Sequence, residues 1–150
     1  MATRAAVDEF MAQKVLALAG VRRHGGGFGH TIRLELTKRG WDIRLVHHQA
    51  DQVLGLPSVR SVKEVAGAVG GLVLVTRPAA TERLVHEAAE AGIRRIWLQP
   101  GSASKDAIRF CEERGISVIH GECILMHGAP DGFPHGLHRW LRGLLGRMPR

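Results

Sequence analysis

The chain is expected to fold as α/β: a doubly wound, five-stranded, mainly parallel sheet with helices on both faces. Three observations carry that expectation. Short apolar runs alternate with longer helical patterns from residue 15 to residue 119. The runs are rich in Val, Leu and Ile and lack polar alternation, which suits strands covered on both sides. Gly40, Gly92 and Gly115 each stand just past a helical pattern, where a left-handed stop is cheapest as glycine.

In order, a short amphipathic helix around Val7 to Met11 precedes strands at Val15 to Ala19, Ile43 to Val46, Leu72 to Thr76, Arg95 to Leu98 and Ser117 to Ile119. Helices are expected over Phe28 to Arg39, Val62 to Val69, Ala79 to Ala91 and Ser104 to Arg114. Alternating strands and helices imply parallel pairing with right-handed crossovers. The 150 residues suit one domain with one core, without linker, repeat or low-complexity segment.

In such a fold ligands sit beyond the carboxyl ends of the strands. That edge would carry Gly20 to His30, His47 to Gln49, Thr76 to Pro78, Gln99 to Ser102 and His120 to Cys123. The first of these is the most informative. A buried strand, a glycine-rich turn and a helix aim backbone N–H groups and a positive helix end at a phosphate. The turn lacks the standard dinucleotide spacing, because Gly25-x-Gly27 would need glycine where His30 stands. Arg22, Arg23 and His24 adjoin it and suit phosphate oxygens, although a solvated charged loop reads the same way.

The end of the second strand separates candidate ligands. An NAD site wants a carboxylate there for the ribose hydroxyls, but Val46-His47-His48-Gln49 supplies none before Asp51. Histidines tolerate a ribose phosphate, as coenzyme A and NADP carry. The pair His47-His48 also fits a plain strand end with one ring packed and one exposed.

Twenty-one Lys and Arg against 14 Asp and Glu give a net charge of +7, but setting aside Arg139, Arg142, Arg147 and Arg150 lowers it to +3. The basic character is thus partly a property of the last residues, and nucleic acid is not an expected partner. Cys111 and Cys123 suit a reducing cytoplasm better than a disulfide framework. No stretch has the apolar length of a membrane span, and Met1 to Phe10 lacks a signal-peptide core.

Residues Val15 to Gly20 with Phe28-Gly29, Val73-Leu-Val-Thr-Arg-Pro78, Ile96-Trp-Leu-Gln-Pro-Gly101 and Val118-Ile-His-Gly-Glu-Cys-Ile-Leu-Met126 resemble the small stand-alone CoA-binding domain proteins. These are Rossmann-like relatives of the amino-terminal domain of the succinyl-CoA synthetase α-subunit. The resemblance extends to Gly132-Phe-Pro-His-Gly-Leu-His-Arg-Trp140, and so covers nearly the whole chain. Two places depart from it. Val21 and Arg22 replace a small residue and Ser, and Val46-His47-His48 replaces Val-Asn-Pro.

The resemblance implies coenzyme A or an acyl-CoA as ligand. Gly20 and the turn Gly27, Phe28, Gly29, His30 would approach the pyrophosphate with Val21, Arg22 and Arg23, and His47 or His48 would face the ribose. Thr76, Arg77 and Pro78 would close the third strand's mouth, and Gln99, Pro100 and Gly101 would border the pantetheine path. Pro78 equally suits the first turn of a helix, and Ser102 or Ser104 an N-cap.

His120, Cys123 and His127 form a single cluster without the paired elements of a structural zinc site, so no metal is expected. Residues 134–148 place Leu137, Trp140, Leu141, Leu144, Leu145 and Met148 at helical spacing, which suggests a carboxyl-terminal amphipathic helix docked on its own domain or on a sister subunit in a homodimer. No nucleophile elbow, Walker loop or facing carboxylate pair is present. The expected function is therefore non-catalytic binding of CoA, as a sensor or carrier. The alternatives are an NADP-linked or other nucleotide-using enzyme, or a basic nucleic-acid-associated protein.

Overall fold

The structure is a computed structural model and describes residues 2–127. The suggested helix at 134–148, and the dimer contact through it, lie outside the described residues. Helix α1 (Arg4–Met11) leads into strand β1 (Val15–Ala19), followed by helix α2 (Gly27–Lys38), β2 (Asp42–Val46), β3 (Gln52–Val53) and β4 (Leu56–Val59). Then come β5 (Gly71–Leu74), α3 (Pro78–Glu90), β6 (Arg95–Leu98), α4 (Lys105–Glu113) and β7 (Ser117–Ile119). One sheet runs in the order β3-β4-β2-β1-β5-β6-β7, antiparallel between β3 and β4 and parallel elsewhere.

The expected five strands are all present in the parallel sheet, but the full count among the described residues is seven. The extra pair is the hairpin β3–β4, whose two-residue turn, Leu54–Gly55, has positive φ at both positions, as a tight hairpin turn matching the strand twist requires. Its strands are too short, and too interrupted by Pro57, to show a period. A second correction concerns Val62 to Val69. Only Val62–Glu64 forms a turn of 3₁₀ helix, with Ser61 and Glu64 as a capping box. Gly67 and Gly70 follow at once, and glycine is a poor helix former. The third strand also stops at Leu74 rather than Thr76.

The central strands bury both faces, and the alternation of β1 sorts the core. Leu16 and Leu18 point to one side with Val7 and Phe10 of α1 and Ile32 and Leu36 of α2. Ala17 and Ala19 point to the other, under Leu84, Val85 and Ala88 of α3 and Ala107 and Cys111 of α4. Helices α2, α3 and α4 end as expected. In each, the residue after the glycine donates its N–H back across the stop: Trp41 to Leu36, Ile93 to Ala88 and Ile116 to Cys111.

After β7 the chain returns across the sheet end. Gln99 is buried, accepts the Ile124 N–H through Oε1 at 2.8 Å and donates to Cys123 Sγ at 3.3 Å. The Arg39 guanidinium, with a side chain only 3% exposed, donates to the carbonyls of Leu125 at 3.1 Å and His127 at 3.0 Å and pairs with Glu35. Residues 122–127 are thereby fastened to β6 and to the end of α2.

Candidate functional site

Strands β2, β1, β5, β6 and β7 are mutually parallel, so their carboxyl ends share one edge. The chain passes from β1 outward to β2 on one side and later to β5 on the other. This reversal opens a crevice beyond β1 and β5, where open α/β sheets hold ligands. A cleft of about 230 Å³ lies there. Its floor and one wall are Ala19, Gly20, Val21 and Arg22 after β1, Val46, His47 and His48 after β2, and Thr76 after β5. Arg60 closes the hairpin side, and Ala80, Arg83, Leu84 and Glu87 of α3 form the opposite wall.

Glycine is required in the floor because the chain comes too close to itself for any side chain. Gly20 has φ +112°, and a Cβ there would stand inside 3.0 Å of the Val75 carbonyl oxygen. A Cβ on Gly29 would likewise strike the Gly20 carbonyl. The bare surface of Gly29 thus faces the end of β1 and allows α2 to sit against it.

Between them runs the turn itself. Gly25, Gly26 and Gly27 all have positive φ, and Gly26 caps α2 without any side-chain hydrogen bond. The Arg22 side chain passes Gly27, its Nε 3.5 Å from where a Cβ would stand. A guanidinium therefore lies beside a helix start whose N–H groups receive no side-chain cap, a combination that favours anions. The Arg23 carbonyl accepts the Leu54 N–H at 3.0 Å and ties the turn to the hairpin. Phe28 is exposed, and His30 is half-buried with its Nδ1 enclosed and without a hydrogen-bond partner.

At the end of β2 the His47 and His48 rings stack 5.7 Å apart. His47 Nδ1 accepts the Gln49 N–H at 3.2 Å, which puts the neutral ring's proton on Nε2. Burial, the neighbouring His48 and the Arg23 charge hold the His47 pKa below its ordinary 6.5. The unfolded chain therefore takes up a proton more readily than the folded one, so stability falls as pH drops through the histidine range. Denaturant midpoints at about pH 7.5 and 5.5 should show a smaller drop for His47→Asn than for the parent. Equal drops would remove His47 from the linkage, leaving it to His120, which burial shifts the same way.

The remaining expected residues divide. The Thr76 N–H donates to buried Ser102 Oγ at 3.0 Å, and the hydroxyls of Thr76 and Thr81 share a hydrogen bond at 2.6 Å. Arg77 and Pro78 are exposed as the N-cap and first residue of α3 and do not line the cleft. Ser104 is the N-cap of α4. Gln99 is committed to Cys123 and Ile124, while Pro100 and Gly101 form an exposed turn past β6, outside the cleft. Arg23, Gly27, Phe28, Gly29 and His30 also lie off its lining.

Arg60, Ala80, Arg83, Leu84 and Glu87 are cleft residues that the sequence reading missed. Residues 80, 83, 84 and 87 repeat at helical spacing, a signal that α3 presents one stripe to the site. The Glu87 carboxylate is engaged by the Ser61 hydroxyl and, at 2.9 Å, by the Val62 N–H. A larger groove of about 490 Å³ follows the outer edge of β2 between α2 and the hairpin, away from the strand ends.

Both cysteines are buried, a setting that disfavours the thiolate. Burial pushes Cys111 up to about 11 and raises Cys123 as well. Among the described residues no group of three His, Cys, Asp or Glu gathers around a common point. Glu122 lies within 3.9 Å of His127 in the interior, not in the cleft. No helix among the described residues is long and apolar enough to cross a membrane.

Residues 14–129 match the family model of the CoA binding domain. The chain belongs to the CoA-binding domain family. The match spans the sheet, the cleft and the returning segment. Among curated relatives, YneT of Bacillus subtilis, itself uncharacterised, is 24% identical over 123 residues, covering 81% of this chain and 91% of its own. A conserved hypothetical protein of Pyrococcus furiosus is 32% identical with a TM-score of 0.71, over 75% of this chain and 97% of that one. A hypothetical protein of Pyrococcus horikoshii shares the fold at a TM-score of 0.74 and 22% identity, over 82% and 87% of the two chains.

Proposed function

We propose that the protein binds coenzyme A or an acyl-CoA in the cleft at the strand reversal, as a sensor or carrier without chemistry of its own. One observation carries the reading most directly. Arg22, Arg60 and Arg83 reach a single cleft from three separate segments, and the one carboxylate among its described lining residues, Glu87, is already occupied by Ser61 and Val62. Such a surface suits a ligand with more than one phosphate. The family supplies the coenzyme, and the absence of a carboxylate at the end of β2 agrees with a phosphorylated ribose.

At about 230 Å³ the cleft falls below the range of roughly 300 to 1,000 Å³ typical for whole drug-sized ligands. It would enclose the adenosine end of the coenzyme and leave the pantetheine to run over the surface towards Pro100 and Gly101. A non-catalytic role fits the chemistry at hand: both thiols are buried, which raises their pKa, and His47 Nδ1 is held by a backbone N–H.

Calorimetric titration with CoA, dephospho-CoA, NADP and NAD tests the reading. CoA should bind most tightly. Replacing Arg22 or Arg83 by Ala should weaken it by about 1.5 to 3 kcal/mol for each charge-assisted hydrogen bond that the guanidinium makes to phosphate, whereas Arg23→Ala, off the lining, should change it little. Preference for NADP would favour the oxidoreductase alternative, and heat from none of the four would discard the nucleotide reading.

A further inference from the structure

The sequence does not mark Arg60, but its position does. Val59 pairs with Val46, and its carbonyl accepts the His47 N–H at 2.8 Å. Arg60 therefore leaves β4 beside the end of β2, where a doubly wound fold places an adenosine ribose. Its backbone is pinned: Glu64 Oε2 accepts the N–H groups of Arg60 at 3.0 Å and of Ser61 at 3.1 Å. A side chain that lines the cleft thus springs from a rigid base.

The Arg60 guanidinium is held by Asp51, Nε to Oδ1 at 2.9 Å, with side chains 57% and 79% exposed. So exposed an ion pair contributes little net stability, whereas a phosphate offers more charge and three oxygens to the guanidinium fork. His47 and His48, which the sequence would assign to the ribose, match a phosphate less well than a guanidinium fork: His47 keeps only Nε2 as a donor, because its Nδ1 accepts the Gln49 N–H.

Resting on the nucleotide reading above, we infer that Arg60 is the residue that recognises the phosphate on the adenosine ribose, and that Asp51 holds its guanidinium until that phosphate displaces the carboxylate. Asp51 is the first acid after β2. It serves here as a stand-in for the ligand's phosphate and not as a partner for ribose hydroxyls.

The test compares affinities for CoA and dephospho-CoA, and for NADP and NAD, by calorimetry in the parent, Arg60→Ala, Arg60→Lys and Asp51→Asn proteins. Far-UV spectra and melting temperatures verify that each variant folds. The parent should prefer CoA over dephospho-CoA by about ten- to a hundredfold, the value of one charge-assisted hydrogen bond. Arg60→Ala should bring that ratio close to one, Arg60→Lys should restore part of it, and Asp51→Asn should raise it by removing the competitor. A parallel collapse of the NADP to NAD ratio assigns Arg60 to ribose phosphates in general, and collapse for CoA alone assigns it to the 3′-phosphate. Loss of CoA and dephospho-CoA affinity by the same factor, or an unchanged ratio in Arg60→Ala, overturns the assignment while CoA binding itself stands. A parent that binds none of the four overturns the nucleotide reading and this inference together.

Discussion

Gly20→Ala is expected to destabilise the fold by roughly 2 to 5 kcal/mol, adding the cost of a left-handed backbone to that of an overfilled site. The added methyl would stand inside 3.0 Å of the Val75 carbonyl oxygen, which is backbone and has nowhere to go, at a φ of +112°. Either β1 and β5 separate at their carboxyl ends or the turn refolds, and in both cases the cleft floor is lost. Gly40 provides the control, because its φ is +107° but a Cβ there meets nothing within 4 Å. Gly40→Ala should cost only the conformational part, about 1 to 2 kcal/mol. Urea unfolding of both variants measures the difference. If Gly20→Ala proves no worse than Gly40→Ala, the close approach of the two strand ends is not what requires glycine there.

Trp97→Ala should cost about 3 to 5 kcal/mol, the range for truncating a large buried aromatic. Trp97 is fully buried on β6, edge-on to Phe10 of α1 with ring centroids 5.3 Å apart, and its Nε1 donates to the Glu122 carbonyl at 2.9 Å. One side chain therefore joins the first helix, the sheet and the segment that returns after β7. Trp97→Phe keeps an aromatic ring and removes the indole donor, so it should fall between parent and Ala. The check is the denaturant midpoint of both variants with the slope unchanged. A Trp97→Ala protein within about 1 kcal/mol of the parent would show that the cavity closes or that the helix does not depend on it.

Much of this fold is visible in the order of the residues alone. The runs at 15–19, 43–46, 95–98 and 117–119 are strands in the order and direction that alternating elements require. Three glycine stops end α2, α3 and α4 where expected, since the stop depends only on backbone conformation within a few residues. The hairpin β3–β4 is invisible for the opposite reason. Its strands hold because Val59 and Ser58 find partners on β2 and Ser58 Oγ donates to the Ala50 carbonyl at 2.7 Å, and neither contact has a local period. The failed helix at Val62 to Val69 shows the same limit: its apolar spacing is satisfied by packing Val62 and Val65 under α3 as turns.

The candidate site divides along the same line. Composition and order alone determine that a glycine-rich turn follows the first strand, that no carboxylate ends the second, and that arginines flank the turn, because these are properties of neighbours in the chain. Which cations share a cleft depends on contacts between residues far apart in sequence. Arg60 reaches the site only because β4 pairs with β2, and Arg83 only because α3 lies across the strand reversal. Gln99 illustrates the converse. Its place at a strand end suggests a ligand contact, yet the returning segment takes both ends of its amide, since a buried polar group is satisfied by whichever partner the packing brings within reach.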